Sequence, residues 1–230
     1  MKYSDSIDHR LTGRHKKSFR FVNSVRDKVV LDVGCSYGWF ENWALSNSCK
    51  KITGIEPVEA DLESAKGAIT NATFAQGSAL SIPLENDYFD IVVLWEVLEH
   101  LPKNTEEKAF KEIARVLKPG GSFFMSTPKR TFWSCILDPA WWLVGHRHYS
   151  EDYLRTQLNK SDLEVVKIES CGGYYEQFSM ILLYIFKWLF RSEIPFKEWF
   201  DKKRDAEFLD RPGFTNIFVE AKKLPIKNVI

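Results

Sequence analysis

The stretch "VVLDVGCSYGWF", residues 29–40, decides the fold of this chain. Its first five residues are aliphatic except for Asp32, and a turn that contains Gly34 and Gly38 follows them. A short apolar run that ends in a glycine turn is typical of a buried strand leading into a helix. Glycine also lets the backbone approach a ligand closely, because it has no side chain to obstruct the approach. We therefore expect a ligand site at residues 32–38.

Strand and helix patterns alternate from this stretch to residue 128. Strands are predicted at "KKITGIEP", "ATFAQG", "FDIVVLW" and "SFFMSTP". Helices are predicted at "YGWFENWALSN", "VEADLESAKGAI" and "NTEEKAFKEIARVLKPGG", the last one ending at a Pro-Gly-Gly stop signal. "EVLEHL" is predicted to begin a further helix, and "LEVVKIES" and "FTNIFVEAKKL" are predicted as two late strands. This alternation predicts an α/β fold, a doubly wound and mostly parallel sheet with helices on both faces.

The remaining segments set the predicted domain organisation. Residues 1–28 are predicted to be an amphipathic N-terminal lead-in, and residues 29–230 a single domain. Within that domain, residues 129–149 have the aromatic, irregular pattern of a loop, and Ser150 is expected to cap the helix that follows. Residues 172–213 are too long for a hairpin connection and are predicted to be an inserted cap of two helices.

The composition excludes several classes of protein. The 230 residues are 44% hydrophobic and 27% charged, with a formal net charge of +1, so whole-chain binding to nucleic acid gains no support. The four cysteines lack CxxC spacing, which argues against a zinc site or a disulfide framework. The N-terminus lacks the apolar core of a signal peptide, so a cytoplasmic protein is expected. The apolar run at residues 178–186 is shorter than the roughly 20 residues that span a bilayer.

The glycine turn does not fit the dinucleotide-binding motif G-x-G-x-x-G, because Ser36 and Trp39 stand at its second and third glycine positions. Its spacing instead resembles the D-x-G-x-G-x-G motif of class I S-adenosylmethionine-dependent methyltransferases, with Asp32, Gly34 and Gly38 in place. Ser36 replaces the middle glycine of that motif. The resemblance continues in order through "GIEP", "QGSALSIPLENDYFDIVV", "EVLEHL" and "RVLKPGGSFFMSTP", about residues 29–128, and it implies a seven-stranded sheet.

The resemblance also implies a cofactor, S-adenosylmethionine, and the residues that hold it. Glu56, at the end of the second strand, would accept hydrogen bonds from both ribose hydroxyls, and charge-assisted bonds are the stronger kind. Ser78 stands where many members carry an aspartate that binds the adenine, so the backbone at Ala79 and Leu80 is the alternative contact. The predicted cofactor-binding residues are Asp32, Gly34, Cys35, Ser36, Gly38, Glu56, Pro57, Gly77, Ser78, Ala79, Leu80, Trp95 and Glu96.

Candidate catalytic residues follow the fourth and fifth strands. Methyl transfer to a hydroxyl benefits from a general base, and His100, His146 and His148 are the candidates. In a helix, Glu96, Glu99 and His100 would share one face. Their pattern resembles the magnesium-binding set of ubiquinone-pathway and small-RNA O-methyltransferases, which implies an alternative in which these residues and His146 or His148 hold Mg²⁺. A third alternative is that the histidines only orient loops.

Two aromatic segments, residues 129–149 and 172–213, are expected to select the acceptor, because substrates are chosen by parts grafted onto a fold. They would form a hydrophobic lid over a lipidic or aromatic acceptor, a peripheral membrane contact, or an ordinary packing or dimer interface. The membrane alternative depends on basic residues interleaved with apolar ones: Lys187, Arg191, Lys197, Lys202, Lys203 and Arg204.

The predicted function is methyl transfer from S-adenosylmethionine to a small-molecule acceptor or to one linked to a lipid or glycan, with oxygen as the favoured atom. One alternative is a cofactor-binding or membrane-associated protein without catalysis. Another is methylation of RNA at a ribose 2′-hydroxyl. The near-neutral charge and the lack of a recognisable RNA-binding module disfavour RNA as a partner.

Overall fold

A seven-stranded sheet lies at the centre of the computed structural model, which describes residues 11–143, 145–191 and 196–225. The strand order is β3-β2-β1-β4-β5-β7-β6. The first five strands in this order are parallel, and β7 runs antiparallel to both β5 and β6. The strands are β1 Val29–Val33, β2 Lys51–Glu56, β3 Thr73–Gln76, β4 Phe89–Trp95, β5 Leu117–Pro128, β6 Leu163–Cys171 and β7 Asn216–Lys223. This confirms the predicted doubly wound α/β fold.

Nine α-helices lie within the described residues and flank the sheet. They are α1 Gly13–Val22, α2 Trp39–Ser46, α3 Glu59–Ala68, α4 Glu106–Val116, α5 Phe132–Leu137, α6 Pro139–Leu143, α7 Glu151–Asn159, α8 Tyr174–Ile185 and α9 Lys197–Leu209. A π-helical turn, Phe186–Phe190, continues α8. Ser150 caps α7 as predicted, since its hydroxyl accepts a hydrogen bond from the Tyr153 amide. None of these helices has the length and apolar character needed to cross a bilayer.

Both faces of the sheet are buried, which explains why its strands are apolar at nearly every position. Along β1, Leu31 and Val33 pack into the cluster that contains Phe110 and Ile113 of α4. Val30, the residue before Leu31, packs into the opposite cluster with side chains of the helices α1, α2 and α9. Successive side chains of a strand point to opposite faces, so a strand covered on both sides needs apolar residues throughout.

Three local predictions were wrong. Helix α4 ends at Val116 rather than at the Pro-Gly-Gly sequence, because Pro119 disfavours a helical backbone at the residue before it, and β5 begins at once. "EVLEHL" does not form an α-helix; it contains only a 3₁₀ turn, Leu98–His100. The segment 129–149 is not a plain loop, because it contains the two short helices α5 and α6.

The predicted inserted cap does contain two helices, α8 and α9, although residues 192–195 between them lie outside the described residues. Residues 1–10 of the predicted lead-in also lie outside them. The described part of the lead-in forms α1, which packs on α9 and on β5. The domain boundaries at residues 28 and 29 stay a prediction. The carboxyl ends of β1 to β4 meet at one edge of the sheet, where the strand order reverses between β1 and β4.

Candidate functional site

The glycine turn lies at the carboxyl end of β1 and has a left-handed backbone at three positions. Gly34, Ser36 and Gly38 have φ values of 83°, 47° and 81°. A Cβ at Gly34 would lie 2.4 Å from Cγ2 of Val97, so this position requires glycine for space as well as for conformation. Ser36 adopts a backbone that costs an L-residue roughly 1–2 kcal/mol, which explains why the related motif has glycine there.

Glu56 closes the other side of this turn. Its Oε2 accepts a hydrogen bond from the Ser36 amide at 3.1 Å, and its Oε1 accepts one from the Val58 amide, also at 3.1 Å. These two bonds hold the carboxylate beside the glycine turn, and each oxygen retains a lone pair for a further donor. The Gly77 amide donates to the backbone oxygen of Glu56 at 3.3 Å, which brings the predicted segment 77–80 to the same edge.

Two buried carboxyl groups lie beneath the turn. Asp32 and Glu41 are 1% and 0% exposed, and none of their four oxygens has a hydrogen-bond partner among the described residues. The Oε1 of Glu41 lies 2.4 Å from the place of a Cβ at Gly54, which pairs with Asp32 in the β1–β2 register. Burial raises the pKa of both carboxyls, and the charge of Glu56 adds to the shift at Asp32. The role of Glu41 was missed, because one glutamate in an amphipathic helix pattern carries no signal of burial.

The chemistry of this edge fits an adenosyl sulfonium cofactor. Within the described part of the chain, no lysine or arginine forms an ion pair with Asp32, Glu41 or Glu56. The absence of a basic partner beside the Glu56 carboxylate, among the described residues, disfavours a phosphate, which would need positive charge nearby. A carboxylate beside a glycine turn also suits a ribose diol. Glu56 with the turn 34–38 and the segment 77–80 would hold the cofactor.

The buried acids give the site a testable pH dependence. The folded-state pKa values of Asp32 and Glu41 are raised above their unfolded values of about 4. The stability that these groups contribute is therefore present in acid and is lost as pH rises through the raised values. We expect Glu41→Gln to raise the free energy of unfolding at pH 8 by about 1–2 kcal/mol, because a neutral amide replaces a buried charge.

Urea unfolding of this variant between pH 5 and pH 8 measures the effect. Glu59→Gln, an exposed acid on α3, is the matched control and should behave as the unsubstituted protein does. Identical pH slopes for Glu41→Gln and the unsubstituted protein would contradict the assignment.

A cavity of about 450 Å³ adjoins this edge, beyond the ends of β4 and β5. It is lined by side chains from the ends of β4 and β5, the start of β7, the segment before α7, the helices α1 and α2, and the inserted cap. Those that bear polar groups include Arg14, His15, Trp95, Glu96, Glu99, His100, His146, His148, Glu176, Gln177, Arg204 and Asn216. Because Trp95 ends the strand next to β1 and Glu96 follows it, the cavity begins where the predicted cofactor site ends.

Glu96 is held at the mouth of the cavity by three partners. It accepts hydrogen bonds from Arg14 at 2.7 Å, from the Ser126 hydroxyl at 2.6 Å and from the Asn216 amide at 3.0 Å. Its backbone has a φ of 54°, which turns the chain out of β4 and prevents the predicted helix from starting here. Sequence reasoning missed Arg14 and Asn216, because both lie far from Glu96 in the chain and in unremarkable local patterns.

An ion network continues from Arg14 across the cavity. Arg14 also pairs with Glu176 of α8 at 2.6 Å, and Arg204 of α9 pairs with the same carboxylate at 2.5 Å. Burial opposes the charge on Glu176, but the two arginines outweigh it and hold the pKa of Glu176 below its usual range. The network therefore ties α1 and the inserted cap to the end of β4.

The three candidate histidines take two different positions. The rings of His100 and His146 meet edge to face, with centroids 4.5 Å apart, and burial lowers the pKa of both. His148 lies behind them: its Nε2 is 2.9 Å from Asp138 Oδ2, and its Nδ1 is 3.4 Å from the Ser134 hydroxyl. With both ring nitrogens occupied by protein, His148 is placed to orient the segment, which argues against it as the base.

The geometry does not support the magnesium alternative. Glu96 is occupied by Arg14, Ser126 and Asn216, and Glu99 accepts a hydrogen bond from the Thr127 hydroxyl at 3.0 Å. Burial raises the pKa of Glu99, and the neighbouring charge of Glu96 adds to the shift. Across residues 11–143, 145–191 and 196–225, no three His, Cys, Asp or Glu side chains are arranged to hold a metal ion.

The segment 129–149 and the inserted cap expose many of their large apolar side chains, whereas Arg204, a basic residue of the cap, is held in an internal ion pair. Exposed residues include Phe132, Trp133, Trp142, Phe178, Leu189, Phe190, Phe196 and Trp199. Arg204 belongs to the ion network and is not free to face a membrane, and the Lys203 ammonium lies over the rings of Tyr175 and Trp199. The side chains of Lys187 and Trp188 lie outside the described residues. Membrane contact stays a prediction.

Comparison with known proteins agrees with this geometry. Residues 31–125 match the family model described as "Methyltransferase domain". The chain is 36% identical over 106 residues to a chloroplastic tocopherol O-methyltransferase of Arabidopsis thaliana, covering 44% of this chain and 30% of the relative. It is 31% identical over 113 residues to a ubiquinone biosynthesis O-methyltransferase of Coxiella burnetii, covering 47% of each chain.

Similarity to solved structures extends over nearly the whole chain. An S-adenosylmethionine-dependent methyltransferase from Mesorhizobium loti aligns with a TM-score of 0.65 at 18% identity, covering 91% of this chain and 97% of that one. At this identity the likeness shows the fold alone. The chain spans about half or less of the length of the curated relatives that it matches. Residues 31–125 therefore match a methyltransferase domain, and the described chain has the fold of S-adenosylmethionine-dependent methyltransferases.

Proposed function

We propose that this protein transfers a methyl group from S-adenosylmethionine to an oxygen atom of a small-molecule or lipid-linked acceptor. One observation carries the proposal: the edge formed by Glu56 and the glycine turn adjoins a cavity lined by two histidines, whose ring nitrogens form no hydrogen bond with the described residues. The cofactor site and the base candidates are thus neighbours. When bound, the cofactor supplies an electrophilic methyl group.

His100 and His146 are suited to accept a proton from the acceptor. Their lowered pKa values keep both imidazoles neutral near pH 7, and only a neutral imidazole can act as a base. Their edge-to-face contact restricts the orientation of both rings. Arg14, Ser126 and Asn216 fix Glu96 at the boundary between the two sites, so the boundary has a defined shape.

Two observations favour oxygen as the methylated atom. A hydroxyl becomes a better nucleophile when a base removes its proton, and the cavity offers two candidate bases. The two relatives described above are named as O-methyltransferases of tocopherol and of ubiquinone biosynthesis. The shared sequence covers about half of this chain, so the acceptor of those proteins supports a chemical class here and not an identity.

Turnover tests the proposal directly. Formation of S-adenosylhomocysteine is measured with a panel of phenols, glycosides and prenyl lipids as acceptors. A methylated product at oxygen is the expected result. Tight binding of S-adenosylmethionine with no S-adenosylhomocysteine formed from any acceptor would favour the non-catalytic alternative instead.

Replacement of His146 tests whether this residue acts as a general base or only packs against its neighbours. We expect His146→Gln to lower kcat by about 100-fold, because general base catalysis contributes at least roughly that factor. In the unsubstituted enzyme, activity should rise with pH and level off below the ordinary histidine pKa of about 6.5, since the neutral form is active and the pKa is lowered.

His15→Gln is the matched control for a cavity-lining histidine. Its Nδ1 accepts a hydrogen bond from the Thr12 amide at 3.1 Å, and burial lowers the pKa of His15 to about 4, so it is a poor base. We expect its kcat to change little. Equal losses of kcat in the two variants would contradict the assignment of His146.

A further inference from the structure

An apolar groove of about 230 Å³ lies between the end of α5 and helix α8, outside the cavity described above. Apart from Gln177 its walls are aliphatic and aromatic. They are formed by Leu137, Tyr174, Tyr175, Gln177, Phe178 and Ile181. Tyr174 and Phe178 are 62% and 55% exposed, so the groove is open to solvent along one side.

The groove lies next to the cavity described above, and both spaces are lined by the α5–α6 junction on one side and by α8 on the other. On one wall, Leu137 lines the groove and the next residue, Asp138, lines the cavity. On the other wall, Gln177 lines both spaces. The two spaces therefore adjoin at Gln177, between the α5–α6 junction and α8.

Helix α8 separates the two spaces by its periodicity. Glu176, Met180 and Leu183 face the cavity, at the three- and four-residue spacing of one helix face. Tyr174, Phe178 and Ile181 face the groove at the same spacing. Gln177 lies on the flank between these faces, and so it marks the boundary.

Gln177 itself indicates a ligand at this boundary. Its side chain is buried, with the residue only 4% exposed, and its Oε1 has no hydrogen-bond partner among the described residues. A buried carbonyl oxygen without a donor destabilises a fold, and such a group is retained where a ligand supplies the donor. The other side-chain donors in its walls are the hydroxyls of Tyr174 and Tyr175, and neither of them donates to this oxygen.

We propose that the acceptor is amphipathic, with a hydroxyl-bearing head in the cavity and a hydrocarbon chain in the groove. The carbonyl oxygen of Gln177 accepts a hydrogen bond from the head group where the chain leaves the cavity. The position of the head beside His100 and His146 rests on the proposed methyl transfer, whereas the place of the chain rests on the groove alone. The ligand class is a phenol or alcohol that carries an alkyl or prenyl chain.

Calorimetry with 4-alkylphenols from methyl to decyl tests this assignment, with the protein saturated with S-adenosylhomocysteine so that no turnover occurs. We expect affinity to rise about fourfold for each methylene that enters the groove and then to level off. Ile181→Trp fills the groove and should abolish this chain-length dependence, while the affinities for 4-methylphenol and S-adenosylhomocysteine stay unchanged. Val166→Trp, at an exposed position on β6, is the control and should keep the dependence.

A second variant covers the case in which Ile181→Trp does not fold. Phe178→Ser removes one wall of the groove, and it should flatten the chain-length dependence without changing the affinity for 4-methylphenol. Absence of any dependence in the unsubstituted protein would overturn the proposal. So would a dependence that survives unchanged in both groove variants, or binding to anionic lipid vesicles with no preference for longer phenols, which would favour a membrane surface.

The outcomes also separate this proposal from the proposed function. Chain-length dependence without formation of S-adenosylhomocysteine would retain the groove as a binding site and reject methyl transfer. If short and long phenols bind with equal affinity and both yield S-adenosylhomocysteine, the methyl transfer is retained and the groove is rejected as a binding site.

Discussion

Replacing Glu56 with alanine is expected to weaken the binding of S-adenosylmethionine by at least about 100-fold. The carboxylate would accept two hydrogen bonds from the ribose, and a hydrogen bond to a charged group contributes about 1.5–3 kcal/mol. The loss of both bonds corresponds to roughly 3 kcal/mol or more, which is about a hundredfold in affinity. Glu56 also accepts bonds from the Ser36 and Val58 amides, so its removal loosens the glycine turn as well.

Calorimetric titration with S-adenosylmethionine measures this effect, after circular dichroism has shown that the variant is folded. Glu56→Gln should lose less affinity, because the amide oxygen can still accept one hydrogen bond. Glu59→Ala, three residues further along the chain and exposed at the start of α3, should bind as the unsubstituted protein does. Unchanged affinity in Glu56→Ala would show that the cofactor site lies elsewhere, and the proposed function would fail with it.

Replacing Glu176 with alanine is expected to lower the free energy of unfolding by about 3–5 kcal/mol. Glu176 is 1% exposed and accepts hydrogen bonds from both Arg14 and Arg204. Without it, two guanidinium groups in a largely buried region lose their shared counter-ion, and Arg14 retains only Glu96 while Arg204 retains only Asp201, at 3.4 Å. Disruption of a buried salt-bridge network is among the few mechanisms by which one substitution has so large an effect.

Chemical denaturation at pH 7 measures the loss. Glu198→Ala is the matched control, because Glu198 is an exposed acid at the start of α9 and should change the free energy of unfolding by less than about 0.5 kcal/mol. A loss below about 1 kcal/mol in Glu176→Ala would mean that the network does not hold α1 and the cap in place.

The network and the acid pair beneath the glycine turn should respond to pH in opposite directions. The pKa of Glu176 is depressed, so the stability that this residue contributes is present above its unfolded pKa of about 4.3 and is lost in acid. The pKa values of Asp32 and Glu41 are raised, so their contribution is lost as pH increases. If unfolding is followed from below the unfolded pKa of about 4.3 up to pH 8, the difference between Glu176→Ala and the unsubstituted protein should therefore change in the acid part of the range. The difference for Glu41→Gln should change, in the opposite sense, at higher pH.

The fold could be predicted from local sequence patterns, because each pattern reflects the burial or the backbone conformation that its own residues require. "VVLDVG" is apolar at nearly every position since β1 is covered on both faces, and Gly34 is required both by its positive φ and by the contact with Val97. Alternation of such strands with amphipathic helices leaves few topologies open. The same reasoning brought Glu56 to the edge of the glycine turn, because parallel strands end on one side.

The candidate site was predicted less completely, and its errors have a common cause. The expectation that Glu96, Glu99 and His100 share a helix face failed because Glu96 turns out of β4 to meet Arg14 and Asn216. Neither partner is near it in the chain. His146 and His148 are two residues apart in sequence, but only His146 reaches His100, since Asp138 and Ser134 hold the ring of His148.

By itself the sequence determined the sheet, its glycine turn and the edge where a cofactor would lie, because hydrophobic periodicity and backbone conformation are properties of neighbouring residues. Only the tertiary structure decided which groups face each other across the cavity: Arg14 with Glu176, His100 with His146, and α8 with the end of α5. These pairings join segments that are distant in the chain. Packing sets their distances and their burial, and no local pattern encodes either quantity.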